Sequence, residues 1–224
     1  MRRFGVKIGV AILVASTLGG LAVPTVASAK SKATFKSADI SRYYKSAKSK
    51  TAFHFTSTNI GNIIVLGDFG YSSPSVRYGK ITGNFKLSNK GKTLSVKYRP
   101  LNFKTVNGKA TTSLGKTTYK FKMTKKSATK VTTKLTKGSR RLASSGKTYT
   151  YTITKKNPAR SYANTYSKPI INKAFNDLMD QAIIKAGTSK DKLTDKDKAS
   201  LSQQIDDATS QAVDTLVTTF NLKS

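Results

Sequence analysis

The feature that most constrains this fold is a strict alternation of apolar and polar residues between positions 117 and 154. In the first of three such segments, Tyr119, Phe121 and Met123 alternate with lysine and threonine. A period of two indicates antiparallel strands that bury one face and expose the other. The other two segments place these residues at the buried phase: Val131, Thr133, Leu135, Tyr149, Tyr151 and Ile153.

Short apolar runs separated by turn sequences extend this rhythm over residues 51–156. Ser88-Asn89-Lys90-Gly91, Asn107-Gly108 and Ser144-Ser145-Gly146 have turn chemistry, and Pro100 predicts the end of a strand. The continuous apolar run Ile63-Ile64-Val65-Leu66 predicts a strand that is buried on both sides. Together these signals predict an antiparallel β-barrel or sandwich of about seven or eight strands.

The first 29 residues have the composition of a secretory signal peptide. A positively charged start precedes an apolar, uncharged stretch (residues 8–23), and Ala27-Ser28-Ala29 is a small-x-small cleavage site. We therefore predict a mature chain that begins at Lys30, has no membrane span, and is secreted or extracellular. An uncleaved membrane anchor is the alternative. The chain has no cysteine, so a secreted form would be stabilised by packing without disulfides.

Two stretches flank the predicted β domain. Residues 30–50 are basic and rich in serine and alanine, and we interpret them as a basic arm, with a first strand as the alternative. Residues 157–166 are interpreted as a linker. Over residues 167–224 the apolar period changes to three and four, which predicts a hairpin of two helices. The fold class is therefore α+β, with a barrel or sandwich followed by a C-terminal helical hairpin.

The apolar stripes of this hairpin include Leu178 in the first helix and Leu216 in the second. Thr194 is placed to cap the second helix, with Asp195 and Asp197 near its positive end. The stripes need cover from the partner helix, the β domain or a second copy of the chain. A homodimer through the hairpin is therefore an expectation.

The segments that alternate most regularly also carry a resemblance. The run YKFKMTKKSATKVTTKLTKG and its continuation GKTYTYTITKK resemble the second half of small lipocalin-like (calycin-type) β-barrel domains. Such domains occur in uncharacterised secreted proteins of Gram-positive bacteria of the lactic-acid type. The resemblance covers about residues 78–156 and implies a barrel. The lipocalin Gly-x-Trp signature is absent, because the chain has no tryptophan.

Catalytic and metal chemistry find little support in the sequence. The only histidine, His54, lies on an alternating strand between phenylalanines, and we interpret it as a surface residue. Asp191, Asp195 and Asp197 lie close together but lack the central glycine and terminal glutamate of a calcium loop. We therefore expect a protein that is not an enzyme and has no cofactor or metal.

Charge is the more informative property. Residues 30–176 hold 32 of the 41 lysines and arginines but only two of the ten acids, Asp39 and Asp68. Such a domain attracts polyanions. We predict binding of anionic polymers, namely teichoic acid, extracellular nucleic acid or host glycans, with non-covalent retention at the cell wall. A lipocalin-like carrier of a small apolar ligand is the alternative. The candidate binding residues lie on the polar phase of the strands: Lys86, Lys97, Arg99, Lys120, Lys122 and Lys134.

Overall fold

The computed structural model describes residues 33–106, 109–135 and 148–222. The predicted signal peptide and the predicted turns at residues 107–108 and 144–146 lie outside the described residues. Within the described residues the chain forms ten strands, namely β1 (Tyr43–Ser46), β2 (Thr51–Thr58), β3 (Gly61–Asp68), β4 (Ser75–Ile81), β5 (Lys86–Ser88), β6 (Thr93–Val106), β7 (Lys109–Leu114), β8 (Tyr119–Lys125), β9 (Lys130–Leu135) and β10 (Thr148–Thr154).

Eight of these strands close into an antiparallel barrel, which confirms the predicted fold class. Around the barrel the order is β4, β3, β2, β1, β10, β9, β8 and β6, and β6 pairs with β4 to complete the circle. The short strands β5 and β7 pair with β6 outside this circle. Closure leaves the eight barrel strands without a free edge, which removes a common route to aggregation.

The expectation that Pro100 ends a strand is wrong, because β6 continues through it to Val106. Pro100 lies where the pairing of β6 changes. The residues of β6 before Pro100 pair with β8, and the residues after Pro100 pair with β7. At this point Pro100 faces Gly79 of β4. A Cβ atom at Gly79 would collide with the ring of Tyr98, so the glycine makes room for this crossing.

Residues 30–50, interpreted as a basic arm, contain β1. The alternative interpretation, a first strand in this stretch, is therefore correct. Tyr44 of β1 pairs with Phe53 on one side and with Ile153 on the other. Its ring is fully buried and stacks on the Phe53 ring at 4.5 Å. A short helix, α1 (Ser37–Ile40), precedes β1.

The barrel interior is filled by large side chains. The Phe53 ring contacts the rings of Phe121 and Tyr151 at centroid distances of 5.2 and 5.0 Å. The Tyr151 hydroxyl hydrogen-bonds to Thr51 Oγ1 at 2.7 Å, and burial raises the pKa of Tyr151 to about 12. Phe121 and Tyr151 therefore belong to the core, as the alternation predicts.

A second apolar core lies outside the barrel, between β2–β3 and the helices. The helices are α2 (Ala159–Tyr162), a π-helical turn (Ala163–Ser167), α3 (Lys168–Lys185), a 3₁₀ turn (Lys190–Lys192) and α4 (Asp195–Phe220). In β3, Ile64 belongs to the barrel interior while Ile63 and Val65 pack with Val213 and Phe220 of α4. The predicted burial of β3 on both sides is thereby confirmed.

The helical hairpin is formed by α3 and α4, and the predicted linker is largely helical. Thr194 caps α4, and its Oγ1 accepts a hydrogen bond from the Asp197 amide at 3.2 Å. Leu216 is buried against the barrel, as predicted, whereas Leu178 is 59% exposed, so its predicted burial is wrong. Leu178 lines an open groove between α3 and α4, together with Ile205 and Ala208 of α4. Among the described residues, no helix combines the length and the apolar character needed to cross a bilayer.

Candidate functional site

Five of the six candidate residues lie on β6, β8 and β9, and Lys86 lies on β5. We call the outer surface of β6, β8, β9 and β10 the lysine side. In these strands the alternate residues fill the interior, as Val96, Phe121 and Val131 show. The polar phase therefore points outwards. In the circle of eight strands, β8 and β9 stand opposite β2 and β3, which the helices cover. The outer surface of β2 and β3 is called the helix side below.

The strand register brings four of the predicted lysines together. Lys97 of β6 stands directly opposite Lys120 of β8, and Lys122 of β8 stands directly opposite Lys134 of β9. Directly opposite residues have Cβ atoms about 4.5–5.5 Å apart, and Lys120 and Lys122 lie two residues apart on one strand. Lys97, Lys120, Lys122 and Lys134 thus form one compact group of backbone positions, which we call the lysine block.

The electrostatics of the lysine block are unusual for a sheet, because like charges directly opposite each other destabilise a strand pair. The two acids of residues 30–176 lie elsewhere. Asp39 forms an ion pair with Lys125, 2.5 Å long, and Asp68 is 5% exposed. The side chains of Lys97, Lys120 and Lys122 are exposed to solvent. An anion that bridges such a pair relieves the repulsion that the register builds in.

The other two predicted residues lie outside the block. Lys86 is exposed on β5, opposite Ser95 of β6, and Ser95 is in turn opposite Lys122. Lys86 therefore extends the block by two strand positions. Arg99 is half-buried, and its Nε donates a hydrogen bond to the Gly115 carbonyl at 2.8 Å. Its guanidinium thus contributes to the structure at the base of β7.

A row of threonines beside the block was not predicted. Thr93, Thr124, Thr132 and Thr150 stand opposite one another across β6, β8, β9 and β10. On the far side of this row, Thr152 pairs with both Lys130 and Lys45. Thr124 and Thr132 are half-buried and Thr150 is exposed, whereas Thr93 is 1% exposed and its Oγ1 accepts a hydrogen bond from Asn89 Nδ2. The lysine side therefore presents the hydroxyl groups of Thr124, Thr132 and Thr150 between two groups of lysines. Only the register reveals this, because the alternation shows the face of a residue but not its neighbours across strands.

His54 is not the surface residue that the sequence predicts. It is 8% exposed, and its Nε2 donates a hydrogen bond to the Phe220 carbonyl at the end of α4, 2.9 Å away. Its ring lies 5.0 Å from the rings of both Tyr43 and Phe220. Burial lowers the pKa of His54 below 6.5, so the ring is neutral at pH 7. Its outward phase on β2 was predicted correctly, but the helix that covers this phase was not.

Of the three aspartates that were compared with a calcium loop, Asp191 lies in the 3₁₀ turn Lys190–Lys192, and the other two lie at the start of α4. Asp195 and Asp197 lie in its first turn, and the Asp197 amide binds the Thr194 cap. Within the described ranges, histidine, cysteine and acidic residues form no group of three that could hold a metal ion.

Comparison with protein-family models, with curated proteins and with solved structures finds no match to this chain.

Proposed function

We propose that this chain is a secreted, non-enzymatic protein that associates with anionic polymers through the lysine side of its barrel. The register that sets Lys97 opposite Lys120 and Lys122 opposite Lys134 carries the proposal. The polymers that fit are teichoic acids of a cell wall, extracellular nucleic acid, and sulfated or sialylated glycans. The excess of 32 lysines and arginines over two acids in residues 30–176 supports their attraction over a distance.

The threonine row supports a polymer with repeated phosphate or sulfate groups. Lysine supplies a mobile point charge, while the accessible hydroxyls of Thr124 and Thr150 can donate hydrogen bonds to the same oxygens. Neighbouring strands lie about 4.8 Å apart, so donors recur at short, regular intervals across the sheet. Repetition of this kind favours a repeating ligand.

The alternative, a carrier of a small apolar ligand, fits the barrel interior less well. Fully buried aromatic side chains occupy its centre, and the Tyr44 and Phe53 rings stack there at 4.5 Å. An eight-stranded barrel that carries a small ligand keeps an open apolar cavity in its interior. In this barrel, packed aromatic rings fill that space. The closed eight-stranded antiparallel barrel is consistent with a calycin-like barrel at the level of the fold.

The proposal is tested by replacing the four residues of the lysine block with glutamine. Binding to duplex DNA, heparin and purified teichoic acid is then measured over a range of salt concentrations. For DNA, we expect the slope of log affinity against log salt to fall by up to about 0.9 for each lysine that neutralises a phosphate. Folding is checked by circular dichroism.

A matched control removes four exposed lysines from turns away from the block: Lys48, Lys90, Lys116 and Lys156. The control variant should keep most of the affinity. Equal losses in both variants would mean that diffuse charge, and no organised surface, holds the polymer. Binding that is insensitive to salt and to both sets would favour the carrier.

Secretion and retention are tested on the producing cells. N-terminal sequencing of extracellular material should give Lys30 as the first residue, following the predicted cleavage site. A salt wash of the wall fraction should release the protein, because salt screens charge-driven attachment. Full-length protein found only in membranes would contradict the predicted processing.

The homodimer stays a prediction. The helix α3 exposes Leu178 and Ile184, at 59% and 68% of their surface, and Leu178 borders the groove between α3 and α4. Sedimentation velocity of the wild-type protein and of a Leu178→Asp variant will show whether two copies pair through this side.

A further inference from the structure

A cleft of about 430 Å³ lies at one end of the barrel, apart from the lysine side. Its walls come from the end of α1, from β1 and β2, from the start of β3, from the connection between β4 and β5, and from the two residues that follow α4. The volume falls within the range of small-molecule sites, about 300–1,000 Å³. None of the candidate lysines lines it.

The chemistry of this cleft differs from that of the surrounding surface. The chain carries 41 lysines and arginines, yet no lysine, arginine or aspartate is among the described residues that line the cleft. Phe55 and Phe85 supply an apolar wall, with their rings edge to face at 5.2 Å. Ser41, Thr56 and Asn62 supply polar groups.

Two asparagines at the cleft are arranged as hydrogen-bond donors. Asn62 Oδ1 accepts a hydrogen bond from Ser57 Oγ at 2.6 Å, and Asn221 Oδ1 accepts one from Asn157 Nδ2 at 2.6 Å. Within the described part of the chain, no residue accepts a hydrogen bond from the side-chain Nδ2 of Asn62 or of Asn221. Each amide nitrogen carries two N–H donors, so both asparagines can donate to a ligand.

We propose that this cleft binds an uncharged saccharide unit. A sugar ring has an apolar face of C–H groups, which suits Phe55 and Phe85, and a rim of hydroxyl oxygens, which suits amide and hydroxyl donors. An anion would find no cation in the lining, and a fully apolar ligand would leave the asparagines unpaired at a cost in affinity. The hydrogen bond from His54 to Phe220 holds the last turn of α4, and with it Asn221, at the cleft.

The test uses uncharged sugars as probes: glucose, galactose, mannose, N-acetylglucosamine, maltose, lactose and chitobiose. Each is titrated into the isotope-labelled protein while amide resonances are followed by NMR. We expect at least one sugar to give saturable shifts at the residues of the cleft, with little change on the lysine side. Shifts at the cleft with none of the sugars, or non-saturating shifts over the whole barrel, would overturn the proposal.

Variants with matched controls then locate the site. Asn62→Ala removes an exposed donor and should weaken binding by about fivefold, the loss expected for one hydrogen bond. Asn84→Ala, an exposed asparagine outside the lining, should change nothing. Phe85→Leu keeps an apolar residue against the interior but removes the ring, and should also weaken binding. Equal affinity in the wild type and in the Asn62 and Phe85 variants would overturn the assignment.

This proposal is independent of the polymer proposal. The cleft variants should bind DNA and heparin like the wild type, and the lysine-block variant should bind the sugar like the wild type. Each result therefore decides one site.

Discussion

The two outer sides of the barrel come from strands of the same sheet, yet they have opposite chemistry. On the helix side, Ile63 and Val65 point away from the barrel interior and are fully buried under α4. On the lysine side, the corresponding outward positions of β8 are Lys120 and Lys122, which are exposed. In an eight-stranded barrel the inward-facing side chains of every strand fill the interior. The strands therefore differ mainly in their outward-facing residues.

The first prediction would break the helix side. Replacing Leu216 by aspartate places an unpaired charge in the apolar core between α4 and the barrel. We expect the free energy of unfolding to fall by about 3–5 kcal/mol, as for other severe changes in a core. Urea denaturation measures the loss.

The matched control is Leu178→Asp, which makes the same chemical change at a residue that is 59% exposed. An exposed substitution usually changes stability by less than about 0.5 kcal/mol. Similar losses in both variants would mean that Leu178 is buried in solution.

The second prediction concerns pH and again separates the two sides. Burial lowers the pKa of His54 in the folded state, so the unfolded chain binds the proton more readily. The stability that this group contributes is therefore complete above its unfolded pKa of about 6.5, and is lost as pH falls towards the lower folded value. Melting temperatures over this range should fall for the wild type.

A His54→Gln variant tests the assignment, since glutamine can still donate to the Phe220 carbonyl but does not titrate in this range. Its melting temperature should be lower than that of the wild type at pH 7 and should vary less with pH. A pH dependence that persists unchanged would assign it to other groups.

The third prediction concerns the lysine side and has the smallest effect. Lys122→Gln removes one of two like charges that stand directly opposite each other. At low salt we expect stability to rise by about 0.2–1 kcal/mol, the range for a cross-strand pair. The gain should disappear at high salt, because salt screens exposed charges.

Lys86→Gln is the control, because Lys86 stands opposite Ser95 and gains less from the loss of its charge. If both variants are stabilised equally, the repulsion is spread over the whole domain and the register of the block is unimportant.

The sequence was sufficient for the fold class and for the outward phase of the lysines. Alternation in β8, β9 and β10 is a local property, and it shows which residues share a face of a strand. The partner across the strand is not a local property. The connection between β6 and β8 contains β7. The length of such a connection does not fix the register of the two strands, so the pairing of Lys97 with Lys120 could not be predicted from it.

Two further errors have the same physical origin. β1 has only four residues in a stretch rich in serine, alanine and lysine, and its stability comes from two neighbouring strands. His54 lies on the polar phase of β2, where solvent is the default expectation, but α4 covers this phase from the other end of the chain. In both cases long-range packing overrides a local pattern.

The position of β1 has a consequence for the order of folding. Its two neighbours are β2, which follows at once, and β10, which is the last strand to be made. Contacts between the ends of a domain carry a high cost in loop closure and slow the folding of β proteins. The pairing of Tyr44 with Ile153 therefore cannot form until the whole barrel sequence has been synthesised. A barrel that closes only between β1 and β10 therefore stays open during synthesis until β10 has been made.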